Sequence, residues 1–262
     1  MSYPADPSPL AIAHRGGAGL GAENTLDAFS RSHALGIRYL EIDVRLTRDG
    51  VPVLFHDASL RRVTGRPGLL SQLDLLDLPP KIATLLEALQ TFPDTNFTID
   101  IKEPASVPAV ADAIRQADAA HRICVAGAWD GTLDQLAQAL GPDLTVAMGW
   151  RALCRLVTSC HSRLPLVRRG RPSFAHVPVR VGRLPIFAER LVHRAHDVGV
   201  RVLVWTVNDP ATMSQLLDLG ADGIITDRPD LLREVLIGRD LWIAPSQADA
   251  LEGALANVGE RA

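Results

Sequence analysis

The sequence predicts an α/β protein built as a (β/α)8 TIM barrel, with a β-hairpin extension after strand two. Three observations predict it. Strand-like apolar runs alternate with amphipathic helical runs along the chain. Once the returning arm of one hairpin is set aside, the strand runs number eight. The length, 262 residues, suits a single barrel of about 250. Excluding the returning arm has a physical basis, because a tight turn cannot supply the crossover that parallel neighbours require. The barrel is expected to occupy residues 1–243, and residues 244–262 a C-terminal tail of low hydrophobicity, disordered or weakly helical.

Leu10 to Ala13 reads as a buried strand opening into the glycine-rich run His14-Arg15-Gly16-Gly17. Asn24 or Thr25 can cap a helix from Leu26 to Leu35, which Gly36 closes. Tyr39 to Asp57, YLEIDVRLTRDGVPVLFHD, is the most informative stretch. The Asp49-Gly50 pair predicts a two-residue hairpin turn in which Val44 faces Phe55 and Asp43 faces His56. That register puts Glu41, Asp43 and His56 on one face, with Ile42, Val44, Leu46, Val53 and Phe55 on the other.

An irregular stretch at 58–80, holding Arg61, Arg62, Thr64 and Gly65, is too long for an idle connector. A helix from Ile82 to Thr91 leads to the strand FTIDIK, where Asp100 and Lys102 share a face. Helices are then expected at 107–119, 132–140, 152–159, 185–198, 210–219 and 231–237. Strands at 122–128, 144–148, 173–178, 201–207 and 222–226 alternate with them.

Composition excludes several classes. An apolar fraction of 47% and a charged fraction of 22% belong to a folded globular chain. No apolar run approaches the roughly 20 residues of a spanning helix, so no stable membrane insertion is expected. MSYPADPSPL lacks the basic start and apolar run of a secretory leader. Cys124, Cys154 and Cys160 are an odd number without metal-type spacing, as expected of reduced thiols in the cytoplasm. A formal net charge of −3 gives no drive toward nucleic acid.

A barrel places its site at the C-terminal ends of its strands. His14 and Arg15 then end strand one, Glu41 and Asp43 strand two with His56 beside them, and Asp100 and Lys102 strand three. Charges gathered at one mouth are costly unless paired or coordinating. The three carboxylates suit Mg²⁺ or Ca²⁺ and not zinc, since no cysteine cluster or histidine trio accompanies them. Arg15 and Lys102 can neutralise phosphoryl oxygens, and His14 and His56 can divide acid and base roles. The chemistry implied is phosphodiester cleavage.

The runs HRGG, AENTLDAF, LEIDVRLTRDGVPVLFHD, FTIDIK, VWTVND and GIITDRPD, in this order, resemble the glycerophosphodiester phosphodiesterase family across nearly the whole chain. The resemblance implies a metal-dependent barrel hydrolase that yields glycerol 3-phosphate and an alcohol from a small-molecule glycerophosphodiester. It implies His14 and His56 as the acid/base pair and Arg15, Lys102 and Trp205 as substrate contacts. Glu41 and Asp43 are the implied metal ligands, joined by Asp100 where the family usually has glutamate. Ala22 replaces a usual proline, and Ala128-Trp129 a common serine-phenylalanine pair.

Two further readings stand beside this one: a lysophospholipase D-like enzyme whose acyl surface comes from segments 58–80 and 161–172, and a catalytically silent phosphodiester-binding barrel. His193 and His196 are expected on an outer helix face, and Arg163, Arg168, Arg169 and Arg171 in a solvated loop. Asp227-Arg228 can line the mouth or pair internally.

Overall fold

The computed structural model describes residues 3, 9–160, 172–181 and 184–243. The expected tail at 244–262 and the arginines at 163, 168, 169 and 171 lie outside them. The strands are β1 (Leu10–Ala13), β2 (Tyr39–Leu46), β3 (Pro52–Leu54), β4 (Asn96–Ile101), β5 (Ile123–Gly127) and β6 (Thr145–Ala147). They continue as β7 (Pro172–Pro178), β8 (Arg180–Val181), β9 (Leu184–Pro185), β10 (Arg201–Trp205) and β11 (Gly223–Thr226). Eight of them form a closed parallel barrel in the ring order β1, β2, β4, β5, β6, β7, β10, β11, which the pairing of β11 with β1 completes.

Alternation of side chains along each strand builds two cores. Ala11, Ile42, Val44, Ile99, Ile101, Val125, Val177, Val202 and Val204 face the outer helices. Leu10, Ile12, Tyr39, Cys124, Phe174, Leu203 and Ile225 fill the barrel itself. Tyr3 plugs the interior edge-on against Tyr39 and Phe174, and its hydroxyl is 2.7 Å from that of Thr98.

The helices are α1 (Leu26–Ala34), α2 (Arg61–Thr64), α3 (Leu85–Thr91), α4 (Val107–Gln116) and α5 (Asp130–Leu140). They are followed by α6 (Trp150–Ser159), α7 (Glu189–His196), α8 (Pro210–Asp218) and α9 (Pro229–Gly238). Thr25 caps α1 by accepting from the Ala28 N–H, which frees Asn24 for the site. α3 begins later than Ile82 because Thr84 is its cap, accepting from the Glu87 N–H. α7 begins at Glu189 and not Pro185, because residues 184–185 pair with Arg180 and Val181 in a small antiparallel ribbon.

The hairpin register differs from the two-residue turn by one position. Val44 pairs with Leu54, Arg45 with Val53 and Leu46 with Pro52, and the Gly50 N–H donates to Thr47 O. The loop therefore has three residues, Arg48 to Gly50, with Gly50 at φ +80° in the left-handed position such loops require. Docking decides between the two turns. The Arg48 N–H donates to Leu73 O and the Asp49 carboxylate accepts from the Leu75 N–H, tying the loop to segment 58–80. Leu54 consequently joins the main core, while Val53 and Phe55 pack with Leu60, Leu70 and Leu78 in a separate cluster.

Candidate active site

At the C-terminal ends of the strands lies a cavity of about 310 Å³. His14, Arg15, Glu41, Asp43, His56, Asp100, Lys102 and Trp205 all line it. His56 does not face Asp43 across the ladder. β3 ends at Leu54, and the chain then turns into the mouth, held by the Arg45 Nε bond of 2.7 Å to His56 O.

The deepest charges lie on β2. Asp43 is 1% exposed, and Lys102 Nζ at 2.7 Å, Arg15 Nε at 3.3 Å and Asn24 Nδ2 at 2.8 Å surround it. Asn24 Oδ1 accepts from the Asp43 N–H in return. Burial alone would raise the Asp43 pKa, but Lys102, Arg15 and Asn24 hold it below the ordinary carboxylate range. Lys102 also reaches Asp100 at 2.6 Å, and Asp100 and Asp43 together keep its ammonium charged despite burial. Glu41 differs from Asp43. It accepts from the Arg15 N–H at 2.9 Å, and burial followed by the charges of Asp43 and Asp100 pushes its pKa up.

Ligand atoms of Glu41, Asp43 and Asp100 lie within 4.8 Å of one another, which no other such group does among the described residues. Three oxygen donors, one of them a buried carboxylate destabilised by its neighbours, fit a hard divalent cation. The shorter arm of Asp100 still reaches this cluster. Glu103 does not join it, and accepts instead from the Leu46 N–H at 2.6 Å.

His14 and His56 are each tied to a carboxylate through Nδ1. His14 Nδ1 is 2.6 Å from Asp227 Oδ1, and His56 Nδ1 is 2.6 Å from Asp57 Oδ1. A carboxylate at Nδ1 fixes the proton there and leaves Nε2 for exchange. Burial works against the charged form of His14, but Asp227 and then Glu41 hold its pKa above the usual histidine value. Asp227 is oriented in turn by Asn208, which donates to its carboxylate at 2.7 Å and accepts from its N–H at 2.9 Å. Asp227 thus pairs with His14, which lines the cavity, whereas Arg228 pairs with Asp230 at 2.6 Å.

Sequence reasoning missed a second tier. Asp57 bonds Arg62 Nε at 2.6 Å, Arg62 bonds both oxygens of Glu23, and Glu23 bonds Arg15 at 3.1 Å. His56 and Arg15 are therefore joined through segment 58–80. The adjacency of Asp57 to His56 was the available signal. His193 is exposed beside Glu189, and His196 bonds Asp222, so neither approaches the cavity.

The other side of the cavity is apolar. Ala126, Ala128, Trp129, Met148, Trp150 and Leu153 line it, with Trp129 47% and Trp150 44% exposed. The 58–80 segment does not supply an apolar wall, since Leu60, Leu70 and Leu78 turn into their own cluster.

Residues 14–231 match the model of the glycerophosphoryl diester phosphodiesterase family. The chain belongs to that family. Membership makes it a phosphoric diester hydrolase. A probable glycerophosphodiester phosphodiesterase of Mycobacterium tuberculosis is 34% identical over 89% of this chain and 92% of its own. A lysophospholipase D of Mus musculus is 29% identical over 91% of this chain and 85% of its own. Among solved structures, an Oleispira antarctica phosphodiesterase in complex with the product sn-glycerol-3-phosphate superposes with a TM-score of 0.72. It is 25% identical and covers 88% of this chain and 97% of its own. No helix among the described residues is long and apolar enough to cross a membrane.

Proposed function

We propose that the chain hydrolyses glycerophosphodiesters to glycerol 3-phosphate and an alcohol, in the cytoplasm, with a divalent cation held by Glu41, Asp43 and Asp100. The observation that carries this reading is the pair of carboxylate-tied histidines, His14 and His56, at one cavity with three clustered carboxylates and two cationic side chains. The product in the Oleispira antarctica complex supports the same choice of substrate. Three free thiols support a reducing compartment.

In this mechanism Arg15, braced by Glu23, donates to a phosphoryl oxygen and offsets its charge. Lys102 fixes Asp43 and Asp100 and adds a second positive charge beside the phosphate. Nε2 of one histidine takes the proton of the attacking hydroxyl, either from water, which gives glycerol 3-phosphate directly, or from the glycerol hydroxyl beside the phosphate, which gives a cyclic phosphate that water opens in a second step. Nε2 of the other returns a proton to the departing alcohol. A bound Mg²⁺ or Ca²⁺ supplies further charge neutralisation at the phosphoryl group.

The test is release of glycerol 3-phosphate by metal-stripped protein with Mg²⁺ or Ca²⁺ restored. Metal-dependent turnover of water-soluble diesters is expected. Equal turnover in chelator and in metal would sink the cation's role. A product mixture without glycerol 3-phosphate would sink the substrate class.

A second reading, hydrolysis of lysophospholipids, is favoured by the apolar wall with exposed Trp129 and Trp150. Turnover confined to lysophospholipids in the same panel would select it.

A further inference from the structure

β3 ends at Leu54, so His56 lies beyond the ladder that holds the hairpin. The last backbone bond from β2 to this stretch joins the Phe55 N–H to Asp43 O at 3.0 Å. Residues 55–58 form neither strand nor helix. Two side chains hold His56 in their place. Asp57 bonds the imidazole at Nδ1, and Arg45 Nε donates to the backbone carbonyl at 2.7 Å. Among the described residues, the Arg45 bond is the only hydrogen bond to the His56 backbone.

Arg45 is braced in turn from β4. Its Nη1 stands 3.9 Å from Glu103 Oε2, and Glu103 Oε1 accepts from the Leu46 N–H at 2.6 Å. The Arg45 side chain is 19% exposed and that of Glu103 28%, so solvent screens the pair only in part. Glu103 directly follows Lys102. The end of β4, which carries Asp100 and Lys102, is therefore linked through Glu103 and Arg45 to His56. Arg45 lines a second pocket with His56, Asp57, Arg61 and Arg62, and it is absent from the lining of the 310 Å³ cavity. Its guanidinium thus meets His56 away from the space where the reacting groups gather.

We infer that Arg45, braced by Glu103, is a positioning residue that sets the place of His56 at the cavity through the His56 carbonyl. The inference rests on the proposed acid/base role of His56 and adds what holds that residue. Asp57 and Arg45 act on different parts of it. Asp57 orients the ring, whereas Arg45 fixes the backbone that carries the ring. A hydrogen bond from a charged guanidinium is stronger than a neutral one, which suits a carbonyl that no ladder holds. Proton transfer needs hydrogen-bond reach, and a displacement of about 1 Å in a reacting group can cost about 10²-fold in rate. Glu103 then serves the site through Arg45 and Leu46, not as a ligand.

The test compares metal-loaded wild type, Arg45→Met, Arg45→Lys, Glu103→Gln and the Arg45→Met/Glu103→Gln double variant on glycerophosphocholine. Methionine keeps the apolar stem and removes the guanidinium. Arg45→Met is expected to lower kcat by about 10-fold, with KM within about twofold of wild type. Arg45→Lys, which can still donate to the carbonyl but offers no fork, is expected to recover part of the loss. Glutamine at 103 keeps an acceptor for the Leu46 N–H. Glu103→Gln is expected to cost less than Arg45→Met, and nothing further once Arg45 is methionine, because it acts through that arginine. Histidine-selective nitrogen NMR gives a readout independent of turnover. The His56 ring signals are expected to shift or broaden in Arg45→Met while those of His14 stay in place. A kcat within about twofold of wild type for Arg45→Met, or unmoved His56 signals in the folded variant, overturns the inference and leaves the proposed function standing. Wild type that turns over no glycerophosphodiester overturns the proposed function, and the His56 signals then decide by themselves whether Arg45 places the ring.

Discussion

Arg62 grips Glu23 through two hydrogen bonds, of 2.6 and 2.8 Å, and Arg15 donates to the same carboxylate. The same guanidinium bonds Asp57 at 2.6 Å, and Asp57 bonds His56. One side chain on a short helix of an irregular segment thus joins Arg15, the proposed phosphate contact, to His56, a proposed acid/base residue. Arg62→Ala is expected to lower kcat/KM by about 10- to 100-fold, with Arg62→Lys intermediate because a point charge cannot serve both carboxylates bidentately. Wild-type kinetics for Arg62→Ala would show the network to be ornamental.

The same network has a pH signature. Arg62 first, and then His56, hold the Asp57 carboxyl down to about 2. A folded pKa below the unfolded value of about 3.9 means the contact contributes fully above that value and is lost as pH falls toward 2. Carboxyl-selective NMR of Arg62→Ala should find the Asp57 titration moved up toward the ordinary range. An unmoved midpoint would assign the shift to something other than Arg62.

Asp227 is expected to act on His14 as a positioning residue. Asp227→Asn keeps the size of the side chain but lets the amide face Nδ1 with either end, so the ring can take the wrong tautomer. A loss of about 10²-fold or more in kcat is expected, with KM changed far less and thermal stability near wild type. A loss confined to KM would contradict the assignment.

His176 contributes to acid sensitivity. Its folded pKa of about 4 lies below the unfolded value of about 6.5, so the unfolded chain binds more protons between them. Stability from this group is fully present above pH 6.5 and falls as the pH drops toward 4, by at most about 3 kcal/mol. The ring keeps some exposure through the cavity mouth, which reduces that figure. Urea unfolding at pH 7 and pH 4.5 should show a smaller loss for His176→Gln than for wild type. Equal losses would place the acid sensitivity elsewhere.

The apolar wall is expected to influence which alcohols are accepted. Replacing Trp129 and Trp150 together by serine removes large exposed apolar surface at the mouth. KM for lysophospholipids is expected to rise about 10-fold more than KM for glycerophosphocholine. Equal changes for both substrates would show that the alcohol does not touch this wall.

The barrel was legible because its signal is periodic. Alternation in LEIDV and FTIDI is written residue by residue, and it already separates Glu41, Asp43 and Asp100 from Ile42, Val44, Ile99 and Ile101. The strand-end rule then places the charged residues at one mouth. The hairpin register was not legible, because Asp-Gly fits both a two-residue turn and the end of a three-residue loop. Contacts from Leu73 and Leu75, distant in sequence, chose between them.

By itself the sequence determined the order of strands and helices, the family, and eight side chains that meet at one cavity, since each follows from local period or motif. The folded chain alone shows that Asp227 holds His14, that Arg62 joins Arg15 to His56, and that the strand of His176 stands across the barrel from that of Glu41. The Arg62 contacts depend on how segment 58–80 docks, and the pairing of His14 with Asp227 on the closure of β11 against β1. No local pattern encodes which strand ends will stand opposite one another.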